Sequence, residues 1–216
     1  LEDIPAYVVN LRRTLPVACF AVRDEIDRKL GWRILIDATQ KGTLDWPAQV
    51  LHPVPENFLV RLLLPTPVTP NHVTVVSNLC AFASLALFWQ GRLWPGVALA
   101  LAVGGLDGVD GKLARVKLLY SKFGDRLDHV LDLIYEPLWY LAIGAFLSGG
   151  RLLSLGPPVV VSQAIVALYF ADRVTTGLFK RFKKVELFDR APVDRFFRTI
   201  GARRNTNVLI LLVGLL

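Results

Sequence analysis

Between residues 73 and 89 the chain carries no charged side chain. A run of that length and apolarity is close to what a helix needs to cross a bilayer. Inside lipid every backbone N–H and C=O must find its partner within the protein, which leaves helices and closed barrels. Three further apolar runs lie at 94–116, 124–147 and 159–179, and another opens at Val208. The first three of these are longer than the strands of a membrane barrel. Hydrophobic residues make up 53% of the chain and mean hydropathy is +0.45, more than a soluble core requires. The pattern predicts an all-α, polytopic membrane protein.

The first 50 or so residues differ. Residues 1–52 are mixed and polar and read as a short cytoplasmic segment; residues 53–216 read as the membrane domain. Charged and apolar residues alternate with helical spacing over 24–40, where Ile26, Leu30 and Ile34 share one side. Gly42, Pro47, Pro53 and Pro55 then punctuate the chain. A short helix is expected over 55–64, with its apolar residues in the membrane interface or in a small core. Thr69 suits an N-cap and Pro70 a first helical position. The chain has no Met and opens on Leu1, so it is expected to be a piece of a longer protein. No secretory signal pattern precedes the first apolar run. Cys19 and Cys80 are expected to be unpaired. His52, His72 and His129 are too scattered for a metal site.

The net charge of +7 is unevenly spread. Lys112, Arg115, Lys117, Lys122 and Arg126 crowd one inter-span stretch, and residues 173–204 hold ten Lys or Arg. The alternate loops hold Arg92 and Arg151. Basic loops remain cytoplasmic, so residues 107–132 are expected to open to that side of a cell membrane. No basic-aromatic module accompanies the charge, which argues against nucleic acid as a partner.

Four carboxylates lie where the second run ends and the third begins. Asp107, Asp110, Gly111 and Ala114 fall on one helical face, and Asp128 and Asp132 stack one turn apart on the next helix. Two such helices side by side aim four anions into one space, which a cation must neutralise. Oxygen ligands at this density suit Mg²⁺, Mn²⁺ or Ca²⁺, and Mg²⁺ commonly works with phosphate substrates. Carboxylates at membrane depth are functional-site candidates by default; a solvated acidic loop is the bland alternative. Gly111 and Ala114 would let a substrate approach the backbone, or let helices pack closely. Arg115 suits a phosphate or a topology charge. The stretch Arg203, Arg204, Asn205 precedes an apolar helix, and with Arg173 it reads either as a phosphate pocket for an acceptor or as charge that keeps the loop cytoplasmic.

The string D-x2-D-G-x2-A-R-x8-G-x3-D-x3-D runs from Asp107 through Asp110, Gly111, Ala114, Arg115, Gly124 and Asp128 to Asp132 without a departure. It resembles the signature of the CDP-alcohol phosphotransferase family. The resemblance implies a bundle of six membrane helices, of which the last would lie beyond this chain, and a homodimer. It implies transfer of a substituted phosphate from a CDP-alcohol to an acceptor alcohol with release of CMP, in the synthesis of phospholipids or related phosphodiesters. It further implies two Mg²⁺ or Mn²⁺ ions on Asp107, Asp110, Asp128 and Asp132. Asp132 would be the general base and Asp128 its catalytic neighbour. The nucleotide would lie against Asp107, Gly111, Ala114, Arg115 and Gly124. Thr69-Pro70-Asn71 with Thr74 is similar to the family's first-span start, which implies cytidine contacts for Asn71 and Thr74. Residues 41–49 are similar to the junction of members fused to an upstream cytidylyltransferase, which would favour a polar donor such as CDP-inositol.

Two other classes can use such carboxylates. A Mg²⁺-dependent membrane prenyltransferase would release pyrophosphate instead of CMP. A non-enzymatic cation transporter would bind metal without nucleotide. Neither accounts for Gly111, Ala114, Arg115 and Gly124 between the aspartates.

Overall fold

The computed structural model describes residues 6–8, 11, 13–15, 19 and 21–216 apart from 186, 190 and 202. Most of these residues are helical. One departure from the all-α expectation is a two-stranded antiparallel sheet of β1 (Ala6–Val8) and β2 (Arg13–Leu15), with Ala6 opposite Leu15 and Val8 opposite Arg13. These strands are too short to leave a periodicity in the sequence. The helices are α1 (Glu25–Ala38), α2 (Trp46–Val50), α3 (Pro53–Leu63), α4 (Pro70–Trp89), α5 (Leu93–Val116), α6 (Lys122–Leu147), α7 (Pro157–Lys183), α8 (Pro192–Ile200) and α9 (Arg204–Gly214).

Local chemistry fixes several starts. Asp24 caps α1, its carboxylate accepting from the Asp27 N–H at 2.8 Å. At α4, Thr69 is extended, Pro70 takes the first helical position, and the Thr69 N–H donates to His72 Nδ1 at 3.1 Å. His72 is thus a capping residue. Ser121 caps α6 by accepting from the Gly124 N–H at 3.1 Å.

Among the described residues three helices are long and apolar enough to cross a membrane: α4, the 126–147 part of α6, and α7. The sequence pattern counted one more complete span. That extra segment, α5, has 24 residues, but Asp107, Asp110, Lys112 and Arg115 stand in its second half. It packs extensively on α4 and also meets α3 and α9.

Two apolar clusters hold the bundle. The larger joins Ala81 and Phe88 of α4, Val97, Ala100 and Val103 of α5, Tyr135, Trp139 and Ala142 of α6, and Val208 of α9. Trp139 is fully enclosed and donates its indole N–H to the Ala81 carbonyl at 2.9 Å. Burying its ring thus leaves no polar atom unsatisfied. The smaller cluster joins Ile36 of α1 and Val60 of α3 to Val73 of α4 and Val109 and Leu113 of α5. It braces the aspartate-bearing half of α5 from the N-terminal side. Cys19 and Cys80 are free thiols.

Candidate active site

The second half of α5 and the first half of α6 place the four aspartates. One oxygen from each of Asp107, Asp110 and Asp128 lies within 4.8 Å of the others. Three partly buried carboxylates this close repel one another unless a cation lies between them. An all-oxygen donor set fits a hard divalent ion. Thr74 of α4 donates its hydroxyl to Asp110 Oδ2 at 2.6 Å. Such a contact fixes the orientation of a ligand carboxylate. The hydroxyl read as a nucleotide contact therefore has Asp110 as its partner in the fold.

Asp132 stands outside the three-carboxylate group. Its Oδ1 accepts from Arg204 Nη1 at 2.9 Å and from the Tyr135 hydroxyl. The other guanidinium nitrogen of Arg204, Nη2, pairs with Asp107. Arg204, largely buried, thereby ties α9 to the aspartates of both α5 and α6. Its planar fork can serve two carboxylates at once, which an ammonium could not do with the same geometry. Tyr135 was not legible as a site residue, because an aromatic one turn after Asp132 reads as core.

A cavity of about 820 Å³ opens beside this pair. Asp107, Gly111, Arg115, Asp132, Arg173, Arg203, Arg204 and Asn205 all line it, whereas Asn71, Thr74, Ala114 and Gly124 are not among its walls. Also on the cavity wall, Glu136 faces Arg173 at 3.5 Å, and Arg173 lies over the Tyr169 ring, 4.9 Å from its centre. Arg203 stands 3.9 Å from Asp172 and over the Phe188 ring. The arginines grouped by sequence thus reach one space, each with an acidic or aromatic neighbour. The Arg115 guanidinium lies along Gly111, where a Cβ would come within 3.3 Å of it. A Cβ on Gly124 would overlap the amide of Asn71. Asn71 and Gly124 therefore sit together, outside the cavity walls.

A buried ion pair in the cavity wall was not legible in the sequence. Lys112 Nζ meets Glu56 of α3 at 2.8 Å, and both side chains are less than 5% exposed. Lys112 also donates to Asn57 Oδ1 at 2.6 Å. Glu56 reaches across because residue 108 is glycine; a Cβ there would overlap its carboxylate. The available signal was a lone acid, Glu56, in a helix that is mostly apolar. Lys112 read as a topology charge.

This geometry defines the class. The sequence profile of the CDP-alcohol phosphatidyltransferase family matches residues 67–213, and the chain belongs to that family. Together with the three apolar helices, this makes it a membrane protein. Among its relatives is a bifunctional IPC transferase and DIPP synthase of Thermococcus kodakarensis, 32% identical over 190 residues, 87% of this chain and 41% of that protein. A phosphatidylinositol phosphate synthase of Mycobacterium marinum is 34% identical over 95 residues, 41% of each chain. An archaetidylinositol phosphate synthase of Pyrococcus horikoshii is 35% identical over 80 residues, 36% of this chain and 42% of that one. The matches span about two fifths of the length of these curated relatives.

Proposed function

We propose that this chain carries the catalytic membrane part of a transferase. It moves a substituted phosphate from a CDP-alcohol to the hydroxyl of an acceptor alcohol and releases CMP. The observation that carries the reading is the meeting of Asp107, Asp110 and Asp128, with Asp107 also facing, beside the Asp132–Arg204 pair, into one cavity. Asp107, Asp110 and Asp128 would hold Mg²⁺ or Mn²⁺, which when bound polarises phosphoryl oxygens and offsets charge on a diphosphate; Asp132 stands beside them as the base.

The remaining steps belong to the chain's own groups. Asn71 and Gly124 suit the cytidine, and Thr74 orients Asp110 beside it. Gly111 and Ala114 clear space for the diphosphate, and Arg115 contacts it. The acceptor enters from the cavity, where Arg173, Arg203, Arg204 and Asn205 suit an anionic group. Asp132 takes the proton of the acceptor hydroxyl while Arg204 and Tyr135 hold its carboxylate. The hydroxyl oxygen forms a bond to the phosphorus bearing the donor alcohol, and the bond from that phosphorus to the CMP oxygen breaks. The inositol phosphate products in the relatives' names favour an inositol-type donor or acceptor.

The same reading takes residues 1–52 as a cytoplasmic segment leading from a cytidylyltransferase-like domain, and 53–216 as the membrane domain. It places α5 and α9 among six spans in a homodimer. The basic stretches 112–126 and 173–204 favour a site open to the cytoplasmic side of the cell membrane.

The test is CMP release by the full-length protein in liposomes with Mg²⁺ or Mn²⁺. CDP-diacylglycerol or CDP-inositol is offered with a panel of acceptor alcohols. Acceptor-dependent CMP release that Asp128→Asn abolishes is the expected result. Pyrophosphate as product would sink the reading in favour of prenyl transfer. Metal binding indifferent to nucleotide, with no CMP from any pair, would move it toward a transporter.

Gly124→Ala gives a milder second check. The added methyl displaces only the end of the exposed Asn71 side chain, so the fold has little to lose. One displaced hydrogen-bonding group is worth about 0.5–1.5 kcal/mol, or roughly a 2- to 10-fold weaker CDP-alcohol affinity. Isothermal titration should read that loss beside a near-unchanged melting temperature.

A further inference from the structure

The short helix α8 is built inside out for a protein in water. Val193, Phe196, Phe197 and Ile200 recur at helical spacing and form one stripe. All four are more than half exposed, at 62%, 61%, 59% and 54%. The opposite arc carries Asp194, Arg195, Arg198 and Thr199. That polar arc is the one turned toward protein: the Arg198 guanidinium lies over the Phe188 ring at 5.3 Å. Arg195, Phe196 and Thr199 wall a pocket shared with Arg13, Thr14 and Thr43, so Phe196 stands at the boundary between the two arcs. An exposed apolar stripe opposite an arc whose Arg198 packs on protein is the arrangement of a helix with lipid on its apolar side.

Its position names the occupant. Upstream, α7 is one of the helices able to cross the membrane, and it ends in Lys180, Arg181 and Lys183. A basic helix end of this kind stands at the headgroup layer, where anionic lipids attract it. Downstream, α8 stops at Gly201, whose N–H bonds the Phe197 carbonyl at 2.7 Å. A Cβ at residue 201 would press on that same oxygen at 2.7 Å. The chain turns there and enters α9 with Arg203 and Arg204. The helix thus leaves a membrane surface at one end and leads back into the bundle at the other.

We infer that α8 lies in the plane of the bilayer, with Val193, Phe196, Phe197 and Ile200 immersed below an anionic headgroup layer, and so sets the depth at which Arg203 and Arg204 meet the site.

Spin labels on single cysteines in the full-length protein test this. The background carries Cys19→Ser and Cys80→Ser, and the vesicles are phosphatidylcholine with phosphatidylglycerol. Labels replace residues 193, 195, 196, 197, 199 and 200 one at a time, all outside the catalytic aspartates. Collisions with oxygen, which partitions into lipid, are compared with collisions with a water-soluble nickel chelate. Oxygen should exceed nickel at 193, 196, 197 and 200 and fall below it at 195 and 199. The immersion should lessen in vesicles of phosphatidylcholine alone. Frequent nickel collisions at 196 and 197 would place the face in water and overturn the inference. Few collisions of either kind there would place it against protein, a second copy or another domain, and overturn it equally. Immersion indifferent to phosphatidylglycerol would remove the anionic layer from it.

Discussion

Asp132→Asn should lower acceptor-dependent CMP release by about 10²- to 10⁴-fold, the usual worth of a positioned general base. The amide keeps the size of the carboxylate, so Tyr135 and Arg204 retain a group to lean on. What it loses is the capacity to take a proton from the acceptor. Because Asp132 stands apart from the cluster of Asp107, Asp110 and Asp128, the variant should bind Mn²⁺ and CDP-alcohol nearly as the parent does. Single-turnover CMP release together with Mn²⁺ titration separates the two properties. A parallel collapse of metal binding would make Asp132 a ligand first and remove the base assignment.

Lys112→Met carries the largest expected effect on stability. The substitution leaves the Glu56 carboxylate buried without its cation, in a wall less than 5% exposed. Breaking one side of a buried ion pair costs about 3–5 kcal/mol, mostly the penalty of the stranded charge. The apparent melting temperature in detergent should fall sharply. Glu56→Gln combined with Lys112→Met should recover much of that fall, because neither charge is then stranded. Additive losses in the double variant would mean that the two side chains contribute through packing alone. Lys112 adjoins Gly111 in the signature stretch, and α3 reaches the site through this contact. The single variant should therefore also loosen the aspartate end of α5.

Much of this architecture was legible because its signals are local. The Thr69-Pro70 start of α4, the apolar runs and the spacing of the aspartates each depend on residues within a turn or two of one another. The contacts that assemble the site are not local. Arg204 reaches Asp107 across 97 positions and Asp132 across 72. A basic residue at a helix start reads equally as a phosphate ligand, a topology charge or a partner for carboxylates. Only the packing of α9 on α5 selects among them. Glu56 and Lys112 were hidden for the same reason, since each alone looks like an ordinary interfacial charge. The amphipathic stripe of α8 was in the sequence, but a helix of nine residues within a basic stretch was submerged in its charge.

The glycines of α5 bear on how this helix tolerates change. At residue 104 an added methyl meets Asn205 and His52, and at residue 108 it meets Glu56, whereas at residue 105 it meets nothing within 4 Å. Asn205 arrives with α9 and Glu56 with α3, so the two crowded glycines are where independent neighbours dock on one helix. In a saturation scan, positions 104 and 108 would record as little tolerance as the aspartates beside them, for reasons of shape alone. Residue 105, identical in chemistry and one step away, would accept substitution freely. Intolerance along this stretch is therefore a map of contact as much as of catalysis, and a silent glycine is the control that tells the two apart.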